Sequence, residues 1–278
     1  NWDKKYIGPT RVRYGIEHSM NVLAVKTLTD YVGETESYDY LLNFGFTTLS
    51  EDDKYSQAKA LGGITNGVYN IEMTAAYAAI ANGGTYTKPI LYTQVLDHDG
   101  NVLLDNTTPE THEVLKDSTA YLLTSAMEDV VNGAGGTGGS ARLSNMPVAA
   151  KTGTSQESRD LWISAFTPYY TASVWGGYDE HKTMDRLSQS WHQKLWKNIM
   201  EHIQDTKGLE YKDFEIPSSV EEKTVCTKTG LLATSSCPAI TEYFSKDNAP
   251  TKSCSGHYVA PSKDSKKDDS ESSDENTP

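Results

Sequence analysis

AAKTGTSQ, residues 149–156, decides how the rest of this chain is read. An ammonium, a hydroxyl, a glycine and a second hydroxyl follow one another on a run with strand character. Thr152 and Thr154 fall on one pleat face, Lys151 adds positive charge, and Gly153 removes the Cβ that would obstruct an extended peptide. Such an edge suits a peptide that ends in a carboxylate. The Ala-Ala before it and "DLWISAFTPYYTASVWGGY" after it, β-rich and broken by polar or proline-containing turns, predict adjacent antiparallel strands with Lys151-Thr152-Gly153 at the edge.

The same tripeptide returns as Lys228-Thr229-Gly230. At average residue frequencies one specified tripeptide is expected roughly 0.05 times in such a chain, so a bare match decides little and context must choose. The second copy lies in "TKTGLLATSSC", which reads as a turn in a polar stretch; the first has the neighbours an edge strand requires.

Upstream, "IEHSMNVLAVKTL" (16–28) sets Ser19-Met20-Asn21 between two apolar runs. A helix capped by Thr10 ends near His18, and a second covers about 22–32, with Val22, Val25, Leu28 and Val32 at helical spacing and Gly33 as its stop. In the loop between them, a serine can pass a proton to a leaving group, and an asparagine amide can both donate to and accept from a substrate amide. His18 does not complete a Ser-His pair with Ser19: adjacent residues at a helix end point apart, and no orienting carboxylate is evident.

Further elements follow from periodicity and punctuation. A helix runs from an Asn70 cap to Asn82 with Met73, Tyr77 and Ile80 on one face. Asp99-Gly100 marks a hairpin. A helix from Ser118 to about Asn132 turns Leu122, Leu123, Met127 and Val130 inward and meets the Gly-rich 133–142. A last amphipathic helix, about 190–204, places Trp191, Leu195 and Ile199 on its inner face. Helices, then a small sheet, then a helix argue for an α/β or α+β layer arrangement.

At 278 residues the chain can bury a sizeable core. Its net charge of −13, from 38 acidic against 25 basic residues, sets nucleic acid aside as a partner. No run approaches the roughly 18 apolar residues of a membrane span. The opening Asn1-Trp2-Asp3-Lys4-Lys5 has neither an initiator Met nor an apolar leader, so the chain reads as a cut from a longer protein. From about 206 the composition turns polar: 206–261 reads as an accessory extension and 262–278 as an acidic, serine-rich tail with too few apolar residues to order. Cys226, Cys237 and Cys254, with His257 three positions after the last, leave three states open: a Cys226–Cys237 disulfide with one thiol over, a zinc site of three thiolates and His257, or reduced thiols. Their spacings lack the C-x2-C knuckle of common zinc modules.

With these motifs in hand, the chain resembles the C-terminal part of the transpeptidase domain of a class A penicillin-binding protein, the bifunctional cell-wall synthases of bacteria. The resemblance rests on "GPTRVRYGIEHSMNVLAVKTL", "ALGGITNGVYNIEMTAAYAAIANGGTYTKP", "GTGGSAR", "AAKTGTSQESRDLWISAFTP" and "ASVWGGYD", over about 6–205, and more loosely on "CTKTGLLATSSCPAITEYF". It implies a transpeptidase domain at 1–205 of β-lactamase/D,D-peptidase type: a five-stranded antiparallel sheet flanked by helices, with a helical subdomain as the other wall of the cleft. It implies serine D,D-transpeptidation of D-Ala-D-Ala stem peptides through an acyl-enzyme that β-lactams mimic, on three motifs, S-x-x-K, S-x-N and K-T-G; a non-catalytic fragment that binds penicillin or stem peptide, and a β-lactamase-like hydrolase, are the alternative readings. Ser19 then matches the proton-relaying serine, Asn21 the ligand of the substrate amide, and Lys151 the lysine supporting the relay. Thr152, Gly153 and Thr154 match the binding edge, with the Thr154 N–H as one oxyanion donor. No cofactor or metal is implied for that cleft. The family's S-x-x-K precedes S-x-N by several dozen residues, and only 18 residues precede Ser19 here. Ser56-Gln57-Ala58-Lys59 fits the pattern but follows the second motif. The nucleophile is therefore expected on an upstream segment of the parent protein, as are a glycosyltransferase domain and an anchor holding the enzyme at the outer face of the cytoplasmic membrane.

Overall fold

The computed structural model of the chain describes residues 6–180, 182–184 and 189–257. The chain divides into two compact units, Asn1–Val220 and Glu221–Pro278.

The first unit opens with helix α1 (Val12–Glu17) and α2 (Asn21–Thr27), which continues as a π-helical turn to Val32 and stops at Gly33, where φ is 89°. α3 (Glu34–Asn43), α4 (Glu51–Lys54) and α5 (Asn70–Ala81) follow. Short strands β1 (Thr85–Thr87) and β4 (Thr111–Glu113) pair with each other, as do β2 (Gln94–Leu96) and β3 (Val102–Asp105). Then come α6 (Asp117–Asn132), strands β5 (Ala149–Thr154), β6 (Asp160–Phe166) and β7 (Thr171–Gly177), and α7 (Trp191–Lys207).

The strands β5, β6 and β7 form one antiparallel sheet in sequence order, with Lys151 opposite Ser164, Thr152 opposite Ile163 and Gly153 opposite Trp162. β5 lies at its edge. Leu161, Ile163, Ala165 and Phe166 of β6 are fully buried, because both faces are covered. On one, Trp196 and Met200 of α7 pack with Ala150, Ile163 and Ala165; the Trp196 indole donates to the Ala172 carbonyl at 3.0 Å, which satisfies its buried N–H. On the other, Met127 of α6 meets Ala149 and Phe166, with Tyr77 and Ile80 of α5 beside them. This three-layer arrangement fixes the edge of β5 against the helices that carry Ser19.

Several expectations are corrected. The sheet has three strands among the described residues, where five were expected. Thr10 caps nothing; its hydroxyl donates to the Gly8 carbonyl at 2.9 Å, and α1 starts after Arg11. Asn70 is the first residue of α5, after Tyr69. The Asp99-Gly100 hairpin forms, but its loop is organised by the Asp97 carboxylate, which accepts from the backbone of Asp99 and Asn101 at 2.9 Å each. The inner face of α7 is rotated from the predicted one: Leu195 and Ile199 are each 42% exposed, while Trp196 is fully buried. The cause is polar. Gln193 and Gln204 turn inward because each has a partner there, the Thr137 carbonyl at 3.0 Å and the Asn145 side chain at 2.5 Å. Residues 206–220, read as extension, lie in the first unit, where Leu209 joins the α7 core and Phe214 meets the Phe166 ring edge-on at 5.6 Å. The tail, 262–278, lies outside the described residues.

The second unit pairs β8 (Val220–Cys226) with β9 (Ala239–Ser245). Lys228-Thr229-Gly230 falls in the turn after β8, with Gly230 at φ 72°.

Candidate active site

Ser19 sits at the corner between α1 and α2, at φ 51°, a left-handed conformation that costs a serine on the order of 1 kcal/mol. The corner is held by Met20 N–H donating to the Gly15 carbonyl at 2.9 Å. Gly15 allows the two helices to approach: a Cβ there would stand 1.9 Å from a Leu23 methyl. α1 in turn is fastened to α6 by Arg13, which donates to the Asp129 carboxylate at 3.0 Å and to the Ser125 carbonyl and hydroxyl at 2.8 and 3.1 Å.

Lys151 reaches this corner from the middle of β5. Its ammonium donates to the Ser19 hydroxyl at 2.7 Å and to the Thr152 carbonyl at 3.0 Å. Withdrawal from water lowers its pKa to about 8, so near neutral pH this lysine stands close to giving up its proton. An ammonium bonded to a hydroxyl oxygen stabilises negative charge on that oxygen, and an amine with such a pKa can return a proton to it.

Across the strand, the Thr152 hydroxyl meets the Thr137 hydroxyl at 2.6 Å. Thr137 belongs to the Gly-rich loop after α6, and its carbonyl accepts from Gln193 of α7 at 3.0 Å. The same loop is stitched to the end of α1: Gly135 N–H donates to Glu17 Oε1 at 3.1 Å, and a Cβ on Gly135 would stand 1.9 Å from His18 Nε2. His18 is stacked on Tyr14 at 3.8 Å and has its Nδ1 3.1 Å from the Tyr14 carbonyl. It thus props the loop.

Sequence reasoning missed Thr137, Gly135 and Glu17: the glycine run "GAGGTGGSAR" (133–142) offered a signal for the first two, and Glu17 offered none. Asn21 begins α2 and is exposed; Thr154 ends β5 and is exposed. Gly153 leaves room for more than a ligand, since its Cβ would lie 3.3 Å from that of Trp162 on the neighbouring strand. Ser56 and Lys59 do not form an activated pair: Ser56 Oγ accepts from Ala58 N–H at 3.2 Å, and the Lys59 ammonium is spent on the carbonyls of Asp53, Lys54 and Ser56 at 3.0–3.1 Å.

Comparison with known proteins gives the family. The family described as penicillin binding protein transpeptidase domain matches residues 1–201, and penicillin-binding protein 1A, C-terminal domain, matches 216–258. A penicillin-binding protein 1A of Clostridium botulinum is 37% identical over 229 residues, 82% of this chain and 27% of the relative. Penicillin-binding protein 1A/1B of Bacillus subtilis is 31% identical over 276 residues, 90% of this chain and 29% of the relative. The chain thus spans less than a third of the length of either. Among solved structures, penicillin-binding protein 1A from Haemophilus influenzae shares the fold with a TM-score of 0.72 at 22% identity, over 91% of this chain and 42% of that one. The PonA1 protein of Mycobacterium tuberculosis in complex with penicillin V follows with a TM-score of 0.64 at 25% identity, over 78% of this chain and 62% of that one.

Proposed function

Because the chain belongs to the penicillin-binding protein transpeptidase family, we propose that it supplies two walls of a serine D,D-transpeptidase that cross-links peptidoglycan. The observation that carries this reading is the 2.7 Å bond between Lys151 and Ser19, which joins residues 132 positions apart into one proton-handling pair beside an open strand edge.

The stem peptide lies along the outer edge of β5 as an added strand, its main chain meeting unpaired backbone groups of that edge. Its terminal carboxylate is held by Thr152 and Thr154, and Asn21 binds a substrate amide. A serine of an S-x-x-K motif, on a segment of the parent protein upstream of Asn1, attacks the carbonyl between the two D-alanines as its hydroxyl proton passes to the lysine of that motif. Negative charge developing on the carbonyl oxygen is met by the Thr154 N–H, a class of donor worth about 10²–10³ in rate. The Ser19 hydroxyl protonates the leaving D-alanine amine, and Lys151 restores the proton to Ser19. An amine from a second stem then resolves the acyl-enzyme, or water does so in a carboxypeptidase side reaction. A β-lactam enters the same path and is not released, since its leaving group stays tethered. Among the described residues no helix is long and apolar enough to cross a membrane; the anchor at the outer membrane face, like the glycosyltransferase domain, belongs in this reading to the parent protein.

The test is to label the full-length parent with a fluorescent penicillin and map the adduct by peptide mass spectrometry. An adduct upstream of Asn1, lost in Lys151→Ala and Ser19→Ala, supports the reading. An adduct on Ser56, or labelling that ignores both substitutions, overturns it.

A further inference from the structure

Cys226, Cys237, Cys254 and His257 come together in the second unit: one ligand atom from each lies within 4.8 Å of every other, and Cys254 Sγ is 3.4 Å from His257 Nε2. Four ligands around one zinc ion, at Zn–S of about 2.3 Å and Zn–N of about 2.0 Å, stand roughly 3.5–3.8 Å apart. The observed cluster needs only a small contraction to reach that geometry. We infer that Cys226, Cys237, Cys254 and His257 form a structural Zn²⁺ site that holds the second unit folded.

Three observations support zinc over a disulfide or idle thiols. First, all three cysteines are free, and a disulfide between any two would leave the third thiol and His257 without a role, whereas a tetrahedral site uses all four. Second, the backbone presents the sulfurs as ligands. Cys226 closes β8, immediately before the 227–230 turn. The Cys237 sulfur receives Thr234 N–H at 3.4 Å. The Cys254 N–H is clamped to the Leu232 carbonyl at 2.8 Å, which brings the third segment to the other two.

Third, the core within the unit's described residues is small. Among its described residues the buried apolar side chains are Val225, Cys226 and Cys254, and its regular structure is one pair of strands and a single 3₁₀ turn, Lys246–Asn248. A two-stranded ribbon with so small a core is marginal in water, and units of this size are ordinarily held by a disulfide or metal. Three thiolates and one imidazole in tetrahedral array select zinc among the common divalent ions. Binding releases the thiol protons, so affinity falls in acid.

The test is metal analysis of the full chain, expressed with zinc in the medium and purified without chelator. About one zinc per chain is expected, falling at least tenfold in Cys254→Ser and in His257→Ala, and retained in His257→Cys, which restores four ligands. Cobalt exchanged into the wild type is expected to show thiolate-to-cobalt charge transfer and the intense d–d bands of a tetrahedral site. Independently of variant folding, a chelator applied to the wild type is expected to expose 221–257 to protease while the first unit stays intact. Zinc-free wild type with three reduced thiols, a Cys–Cys bond found by mass spectrometry, or zinc undiminished in both substitutions would each overturn the inference.

Discussion

Lys151→Met tests the energetic cost of the site. A lysine whose pKa falls from 10.5 to about 8 on folding carries a burial penalty of about 3 kcal/mol while charged, at roughly 1.4 kcal/mol per unit. Met keeps most of the volume and removes the charge, but leaves the Ser19 hydroxyl and the Thr152 carbonyl without their donor, at about 1 kcal/mol each. The variant is therefore about 1 kcal/mol more stable at pH 7, or about 2–4 °C in midpoint for a unit of this size. The sign reverses with pH. Below about 8 both states hold the proton and the wild type bears the full penalty; between about 8 and 10.5 the unfolded chain binds a proton that the folded chain has released, so the wild type gains stability as pH rises. Thermal unfolding of the pair from about pH 7 to 10 should show Met ahead at the start and behind at the end. A difference that stays constant across that range would refute the argument that burial of the ammonium is what the site pays for. Penicillin labelling of the parent is expected to be lost in the same variant throughout, separating function from stability.

Other outcomes follow from particular contacts. Gly135→Ala drives a Cβ into the His18 ring and should lower stability by about 1–3 kcal/mol, with a larger loss of penicillin labelling than of midpoint temperature. Ser19→Gly and Ser19→Ala both remove the relay hydroxyl, but glycine relieves the φ of 51°; by denaturant unfolding it should be more stable than the alanine variant by about 0.5–1 kcal/mol. Trp196→Ala should cost about 3–5 kcal/mol and Leu195→Ala under about 1 kcal/mol, read by denaturant midpoints; the reverse order would mean that α7 buries the face its periodicity suggested. Burial, reinforced by Asp129 and Asp213, raises the Glu128 pKa from 4.5 to about 7. The folded state thus keeps a proton that the unfolded chain loses over that range, stability falls as pH rises through it, and Glu128→Gln should gain about 1 kcal/mol at pH 8 and little at pH 4.5.

Lys151 and Ser19 were legible because their chemistry is carried by short polar triplets between apolar runs, and the strands around Lys151 because alternation and turn residues agree there. What the sequence hid has one physical origin: a polar side chain whose partner is remote looks the same as one facing water. Nothing local therefore marks Gln193 and Gln204 as inward-facing, and the ridge of Trp191, Leu195 and Ile199 is the visible one, because the partners of the glutamines lie in loops around Thr137 and Asn145. Thr137 escaped for the same reason, being one hydroxyl in a run of glycines until the fold sets it 2.6 Å from Thr152. The glycines themselves were readable as loop and unreadable as contact, since the side chain that excludes a Cβ from Gly135 is His18, over a hundred residues upstream. In this chain local pattern reports which backbone is built, and the pairing of isolated polar groups, which makes the site, becomes visible only once that backbone has closed.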